Sequence, residues 1–276
     1  MQDYVSVIIP VFNRNILLRR AIDSVLNQKY KKFELIIIDD CSDENIDELI
    51  KKFKDKRIKI LKNDINKGVS YSRNFGIKNS NYNLIAFLDS DDEWLPDKLI
   101  RQVEYLEKNK NVNLIHTEEI WIRNGKKVNQ KKRHKKSGGD IFISSLELCL
   151  ISPSSVLLKN KIFKTYGYFD ESLPVCEDYD LWLRITAFEE VGFISKPLII
   201  KYGGHSDQLS KKYETMDKFR VISMLRLYQN KYLKKEKKDA LKEIILKKSN
   251  ILLNGALKRG KIKDAEVYKK WIYSLN

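Results

Sequence analysis

Carboxylates fall at the ends of apolar runs in this chain, and they do so twice. Asp39-Asp40 follows Leu35-Ile36-Ile37-Ile38, and Asp89-Ser90-Asp91-Asp92 follows Leu84-Ile85-Ala86-Phe87-Leu88. If both runs are strands of one open α/β sheet, the two acidic groups share a crevice, because ligands bind outside the carboxyl ends of such strands. Like charges gathered there repel one another unless a cation or a hydrogen-bond-donating ligand sits among them. A hard divalent ion carrying a diphosphate meets that need, since Mg²⁺-type sites combine one or two carboxylates with substrate phosphates. Aspartate is also common in turns after strands, which would explain either group alone. Two groups at two strand ends favour the shared site. A third acidic pair, Glu177-Asp178, precedes a helical pattern, where acids complement the helix dipole whatever else they do.

These groups need a scaffold. Over the first third of the chain, short apolar runs alternate with amphipathic stretches, as in βα units around a parallel sheet. Strands are expected at residues 5–9, 35–38, 58–61 and 84–88, and helices at 16–27, 45–53, 69–78 and from about Pro96, a residue suited to a first helical turn. The strands are near-continuously apolar, as in sheets covered on both faces. Further along, 114–122 reads as a strand closed by the Asn124-Gly125 hairpin turn, 126–139 as a polar, basic, mobile loop, 154–158 as a return to the sheet and 179–188 as a helix. Beyond His205 the pattern is helical, including 244–257 and 265–273, which suit a helical hairpin. The expected fold is α/β: a doubly wound, mainly parallel sheet over residues 1–206 and a basic helical extension over 207–276.

Composition bounds the function. With 276 residues, 42% hydrophobic and 33% charged, the chain can build a sizeable core. No apolar run nears the roughly 20 residues of a membrane-spanning helix, and the first residues carry no pattern of a secretory leader. Cys41, Cys149 and Cys176 lie far apart without a C-x-x-C, which argues against a disulfide framework or structural zinc and for free thiols in a reducing cytoplasm. The net charge of +16 is uneven: residues 211–276 hold 19 basic and 7 acidic residues, and the run 126–136 adds 7 more basic ones. The remainder is slightly acidic, which is not the profile of a uniformly basic nucleic-acid binder.

Four segments in order resemble glycosyltransferase family 2, inverting enzymes of the GT-A fold. They are Val7-Ile8-Ile9-Pro10-Val11-Phe12-Asn13, Glu34-Leu35-Ile36-Ile37-Ile38-Asp39-Asp40-Cys41-Ser42, Gly68-Val69-Ser70-Tyr71-Ser72-Arg73-Asn74 and Phe87-Leu88-Asp89-Ser90-Asp91-Asp92, and the resemblance spans about residues 4–205. It implies that Pro10, Val11, Phe12 and Asn13, with Arg14 beside them, line a nucleotide pocket, and that Asp40 or Asp39 accepts a hydrogen bond from the base, a uracil in many members. Arg73 would approach the nucleotide or its diphosphate; a salt bridge to a neighbouring Asp is the alternative. Asp89-Ser90-Asp91 would be the D-x-D motif, with Asp89 near the ribose and Asp91 a metal ligand. Glu177-Asp178 resembles the family's E-D motif, in which Asp178 is the general base and Glu177 bonds a donor or acceptor hydroxyl. An inverting transfer needs such a base to deprotonate the attacking hydroxyl. His205 stands where the family often places a histidine close to the metal or diphosphate, and a surface-loop histidine is the plainer reading. Trp94, Trp121 and Trp182 could stack on a sugar ring or belong to the core.

The resemblance thus implies a Mn²⁺- or Mg²⁺-dependent hexosyl- or N-acetylhexosaminyltransferase. It would move sugar from a nucleotide-diphosphate-sugar, UDP-linked by preference, to a glycan or lipid-linked acceptor in bacterial cell-surface polysaccharide assembly. A cytoplasmic setting, peripheral contact with an anionic membrane, no nucleic acid and a homodimer complete the expectation. Two rivals are weaker. A sugar-nucleotidyltransferase usually offers a Gly-rich phosphate loop, and residues 10–17 hold no glycine; a non-catalytic transferase-like module would have no need of every acidic motif. No G-x-G-x-x-G follows the first strand, which weighs against a dinucleotide-binding domain.

Overall fold

All seven residues of Val5–Val11 (β1) are buried, so this strand has no face for solvent and lies inside the sheet. It pairs in parallel with Phe33–Asp39 (β2), which pairs in parallel with Ile58–Lys62 (β3); on its other side β1 pairs in parallel with Leu84–Phe87 (β4). The computed structural model describes residues 3–204, 213 and 215–275. The crossovers are Asn15–Leu26 (α1), Ile46–Lys51 (α2) and Gly68–Lys78 (α3). Because the chain runs outward from β1 to β3 and then returns to β4, the strand order reverses between β1 and β4, the place where open α/β sheets bind ligands.

The second half mixes directions. Glu93–Trp94 (β5), the helix Lys98–Lys108 (α4), Leu114–Arg123 (β6) and Lys126–Val128 (β7) lead into the short helix Phe142–Ser145 (α5). Leu157–Lys159 (β8), Lys161–Tyr166 (α6), Glu177–Thr186 (α7) and Gly192–Gly203 (β9) follow. The sheet order is β3-β2-β1-β4-β8-β6-β9-β5, with β7 paired to β6. β8 lies antiparallel between β4 and β6, and β5 lies antiparallel on β9. Alternate strand residues feed two layers, as the period of two requires. Val5, Val7 and Ile9 meet α1 and α4 through Leu18, Ile22, Leu99 and Val103, while Ile8, Ile36 and Phe87 meet α3 and α7 through Ile77, Leu181 and Trp182. Trp94 and Trp182 are thus core residues, and Trp121 is half-buried against His134.

Three expectations need correcting. The stretch 126–139 is not a plain loop: it forms β7, a 3₁₀ turn at Lys132–His134 and a buried anchor, Lys136. The Lys136 ammonium donates to the Leu150 carbonyl at 2.6 Å and lies 3.4 Å from the buried carboxylate of Glu119, partners that sequence spacing does not reveal. The expected strand at 154–158 begins as a 3₁₀ turn, Pro153–Ser155, and pairs only at β8. Finally, β9 escaped the sequence reading because Ser195-Lys196-Pro197 splits its apolar residues into two short runs and much of it is half-exposed.

Met216–Tyr228 (α8), Lys235–Lys258 (α9) and Ile262–Tyr273 (α10) complete the chain, and α9 is longer than its apolar stretch suggested. Gly260, at φ +66°, makes the left-handed turn between α9 and α10. Val221, Met224, Leu241, Ile245 and Tyr268 from these helices share one buried cluster with Phe142, Leu146, Tyr179 and Leu183. The helices therefore buttress α7. Ile251, Leu257, Ile262 and Val267 stay exposed. Among the described residues, no helix is long and apolar enough to cross a membrane.

Candidate active site

Gly76 lets α3 lie directly on the sheet, since a Cβ there would fall 2.6 Å from the side chain of Ile8. This close approach carries Arg73, one turn earlier, to the carboxyl ends of β1 and β4. Its side chain is only 4% exposed. Nη1 donates to Glu177 Oε1 at 2.6 Å and Nη2 to Asp89 Oδ1 at 2.7 Å. One planar guanidinium thus ties the loop after β4 to the start of α7, a fork geometry that suits arginine and not lysine. Burial works against the Arg73 charge, but Asp89 and Glu177 outweigh it and keep the group charged. Burial, and then Asp178, push the Glu177 carboxyl up, and Arg73 opposes them.

The rest of the acidic loop is held from other sides. Arg14 Nη1 donates to Asp91 Oδ2 at 3.0 Å, and Arg20, stacked 3.5 Å over the Tyr202 ring, donates to the Asp91 carbonyl. Burial, then Asp89, push the Asp91 carboxyl up, while Arg14 and Lys201 offset only part of this. Asp92 is buried and pushed well up, by burial and then by Asp91. It accepts from Ser154 Oγ at 2.6 Å and the Tyr202 amide at 3.2 Å, while the Asp89 amide donates to the same Ser154 Oγ at 3.1 Å. Ser90 is buried between them.

The nucleotide-side residues divide. Pro10 and Val11 are buried in β1, so only Phe12, 44% exposed, Asn13 and Arg14 stand at its mouth. Asn13 is strapped to the loop after β2: its amide donates to Ser42 Oγ at 3.0 Å and its side chain exchanges bonds with Asp43. Asp39 accepts from the Ser42 amide at 2.9 Å. Asp40 is bonded within the chain, accepting from Asn63 Nδ2 at 2.7 Å and from the Lys67 and Gly68 amides at 2.8 Å, so it satisfies the orphan donors at the start of α3. Asn13, Cys41 and Cys176 all take positive φ, between 51° and 63°. Such non-glycine backbone is held at a cost and gathers at functional sites.

Asp178, half-buried at the first turn of α7, accepts from its neighbour's amide, Tyr179 N, at 2.7 Å, and the Cys149 thiol lies 3.6 Å from its other oxygen. Lys201, on β9 opposite Trp121, lies in the field of Glu119, Asp92, Asp89 and Asp178. Asp89, Asp91, Arg73, Arg14, Glu177 and Asp178 therefore converge; His205 lies outside the described residues. Sequence reasoning placed Asp92 in the acidic run without a role of its own, and it missed Ser154, Arg20 and Lys201. Only Lys201 carried a signal, as a lone cation in the run Leu198-Ile199-Ile200-Lys201-Tyr202. Among the described residues no three acidic, histidine or cysteine side chains gather as a complete metal cage. Asp91, raised by burial and then by Asp89, with Arg14 and Lys201 offsetting only part of this, fits the simpler arrangement of one or two carboxylates plus phosphate ligands.

A family model described as Glycosyl transferase family 2 matches residues 6–191. An uncharacterised glycosyltransferase of Rickettsia bellii is 39% identical over 195 residues, which cover 70% of this chain and only 28% of that protein. The chain thus spans under a third of that relative. The Escherichia coli UDP-Glc:alpha-D-GlcNAc-diphosphoundecaprenol beta-1,3-glucosyltransferase WfgD is 30% identical over 83% of this chain and 91% of its own. Among solved structures, Staphylococcus aureus TarS 1–349 in complex with UDP-GlcNAc superimposes with a TM-score of 0.74 at 17% identity, covering 98% of this chain and 91% of that one. That likeness is one of fold: a mostly parallel, curled GT-A sheet with a helical C-terminal part.

Proposed function

The chain belongs to glycosyltransferase family 2, and on that premise we propose that it moves a hexose or N-acetylhexosamine from a UDP-sugar to an acceptor hydroxyl with inversion. One observation carries the reading: Arg73 binds Asp89 and Glu177 at once, so the donor-side loop and the acid pair of α7 face the same crevice. Phe12, Asn13 and Arg14 at the mouth of β1 receive the nucleotide, with Asp39 and Asp40 shaping the loop beside it. Asp89 meets the ribose. Asp178 takes the proton from the acceptor hydroxyl as that oxygen attacks the anomeric carbon, and Glu177 fixes a sugar hydroxyl. Asp91, with Asp89 beside it, would hold a Mn²⁺ or Mg²⁺ ion, and His205 is proposed as a further ligand. When bound, that ion supplies positive charge opposite the departing diphosphate.

The relatives that act on GlcNAc-diphosphoundecaprenol support a lipid-linked glycan acceptor in polysaccharide assembly. We extend this to a setting at the inner membrane face, where the basic C-terminal helices meet anionic lipid, and to a homodimer. The test is release of nucleoside diphosphate from a panel of nucleotide-sugars, with and without a GlcNAc-diphospho-lipid acceptor. Acceptor-stimulated release from a UDP-sugar is expected. Release that no acceptor stimulates, or none from any donor, would overturn the proposal.

A further inference from the structure

Among the described residues, Lys201 is a cation of this site whose ammonium is not already engaged. Arg73 is committed to Asp89 and Glu177, Arg14 to Asp91, and Lys136 to Leu150 and Glu119. The Lys201 side chain is half-buried, and no hydrogen bond or ion pair within 4.0 Å joins its ammonium to any described residue. Its acidic neighbours are satisfied by others. Glu119 accepts from Ser152 at 2.6 Å and Trp121 at 2.7 Å, Asp92 from Ser154 and the Tyr202 amide, Asp89 from Arg73, and Asp178 from Tyr179. An ammonium has three donors, so here they are left for something that enters the crevice.

The position narrows what that is. Tyr202, the next residue, bonds Asp92 through its amide, which fixes Lys201 beside the acidic loop on the donor side. Asp178 also lies in its field. The ammonium is thus within electrostatic reach of both the donor loop and the proposed base. Burial works against its charge, but Glu119 and then Asp92, Asp89 and Asp178 outweigh it. A fixed cation there is arranged before the reaction and needs no reorganisation as charge develops.

We propose that Lys201 is a further catalytic residue, donating to the departing diphosphate. The inference rests on the transfer reading above. The acceptor oxygen forms a bond to the anomeric carbon while the bond from that carbon to the β-phosphate oxygen breaks. The bonding pair stays on the phosphate oxygen, to which the Lys201 ammonium donates a hydrogen bond, and the hydroxyl proton passes to Asp178.

The test compares full-length wild type with Lys201→Met, Lys201→Gln and Lys201→Arg, measuring turnover and binding of UDP and UMP. The neutral variants should lower turnover roughly 10²–10³-fold, the usual loss for one donor at developing charge. They should also weaken UDP at least about tenfold while leaving UMP unchanged, because only UDP carries the β-phosphate. A mere countercharge to four acids would be replaced by arginine without loss. An ammonium at a set distance from phosphate would not, so Lys201→Arg should fold and still lose about tenfold in turnover. The Arg variant also decides the matter if neither neutral variant folds. Turnover within about threefold of wild type in Lys201→Arg, equal weakening of UDP and UMP, or a change confined to the acceptor KM would overturn the role of Lys201. If wild type itself neither prefers UDP to UMP nor transfers sugar, the transfer reading fails instead.

Discussion

Replacing Arg73 by methionine should cost more stability than any other single change at the crevice. The guanidinium neutralises two carboxylates, and the side chains of Glu177 and Asp89 are 8% and 26% exposed. Methionine fills much of the volume but leaves both charges without a partner, and removing one partner of a buried pair costs about 3–5 kcal/mol. Most of that belongs to Glu177, the more deeply buried acid. At about 2–4 °C per kcal/mol for a chain near this size, Tm should fall by roughly 6–20 °C. The loss should be conditional on charge. Arg73→Met/Glu177→Gln removes both members of the inner pair, and it should recover about 1–3 kcal/mol relative to the single Arg73 variant. Arg73→Lys keeps the charge but cannot span both acids, so it should fall between wild type and Arg73→Met. Urea unfolding followed by tryptophan fluorescence measures each corner of the cycle. If Arg73→Met unfolds within about 0.5 kcal/mol of wild type, or the two substitutions simply add, the bridge does not hold the site together.

Asp178→Asn should leave UDP-sugar binding intact and lower turnover by about 10²–10⁴-fold, because asparagine keeps the shape and cannot take the proton; loss of binding with turnover per bound donor preserved would make Asp178 a binding residue. Asp91→Asn should fold with little change in Tm, since burial already disfavours its charge, and should lose metal-stimulated turnover; an unaltered metal response would refute its assignment. Burial pushes Glu119 up, but Lys136 and Lys201 outweigh it and bring the carboxyl to about 2. A depressed carboxyl stabilises the fold above its unfolded value, about 4.3, and loses that contribution as pH falls toward 2. Glu119→Gln should therefore cost about 3 kcal/mol at pH 7 and flatten the acid limb of a Tm–pH curve, and an unchanged limb would refute the pairing. Co-sedimentation with anionic liposomes, weakened by salt, is expected of the full chain and should fall when lysines of α9 and α10 are neutralised; equal binding by both proteins would remove the membrane role.

The frame of this fold was legible in the sequence because local rules suffice for it. Runs such as Val5–Val11 and Phe33–Asp39 are apolar on both faces, and only a covered parallel sheet accommodates that. Strand ends can be read wherever such a run stops, so Asp39, Asp40, Asp89 and Asp91 could be placed at one edge before any pairing was known. Composition likewise separated the basic tail from the near-neutral body. Partnership was not legible. Asp40, expected to meet a base, accepts the first amides of α3, which no spacing announces, and Lys136, expected in a loose loop, is buried against Glu119. Arg73 reaches Glu177 across 104 residues of chain while also holding Asp89, 16 residues away. Lys201 lies in the field of four acids from three different stretches. Side-chain electrostatics and hydrogen bonds act over a few ångströms in space and carry no fixed spacing along the chain. Which cation serves which carboxylate is therefore decided only when the strands are in register and the helices are packed.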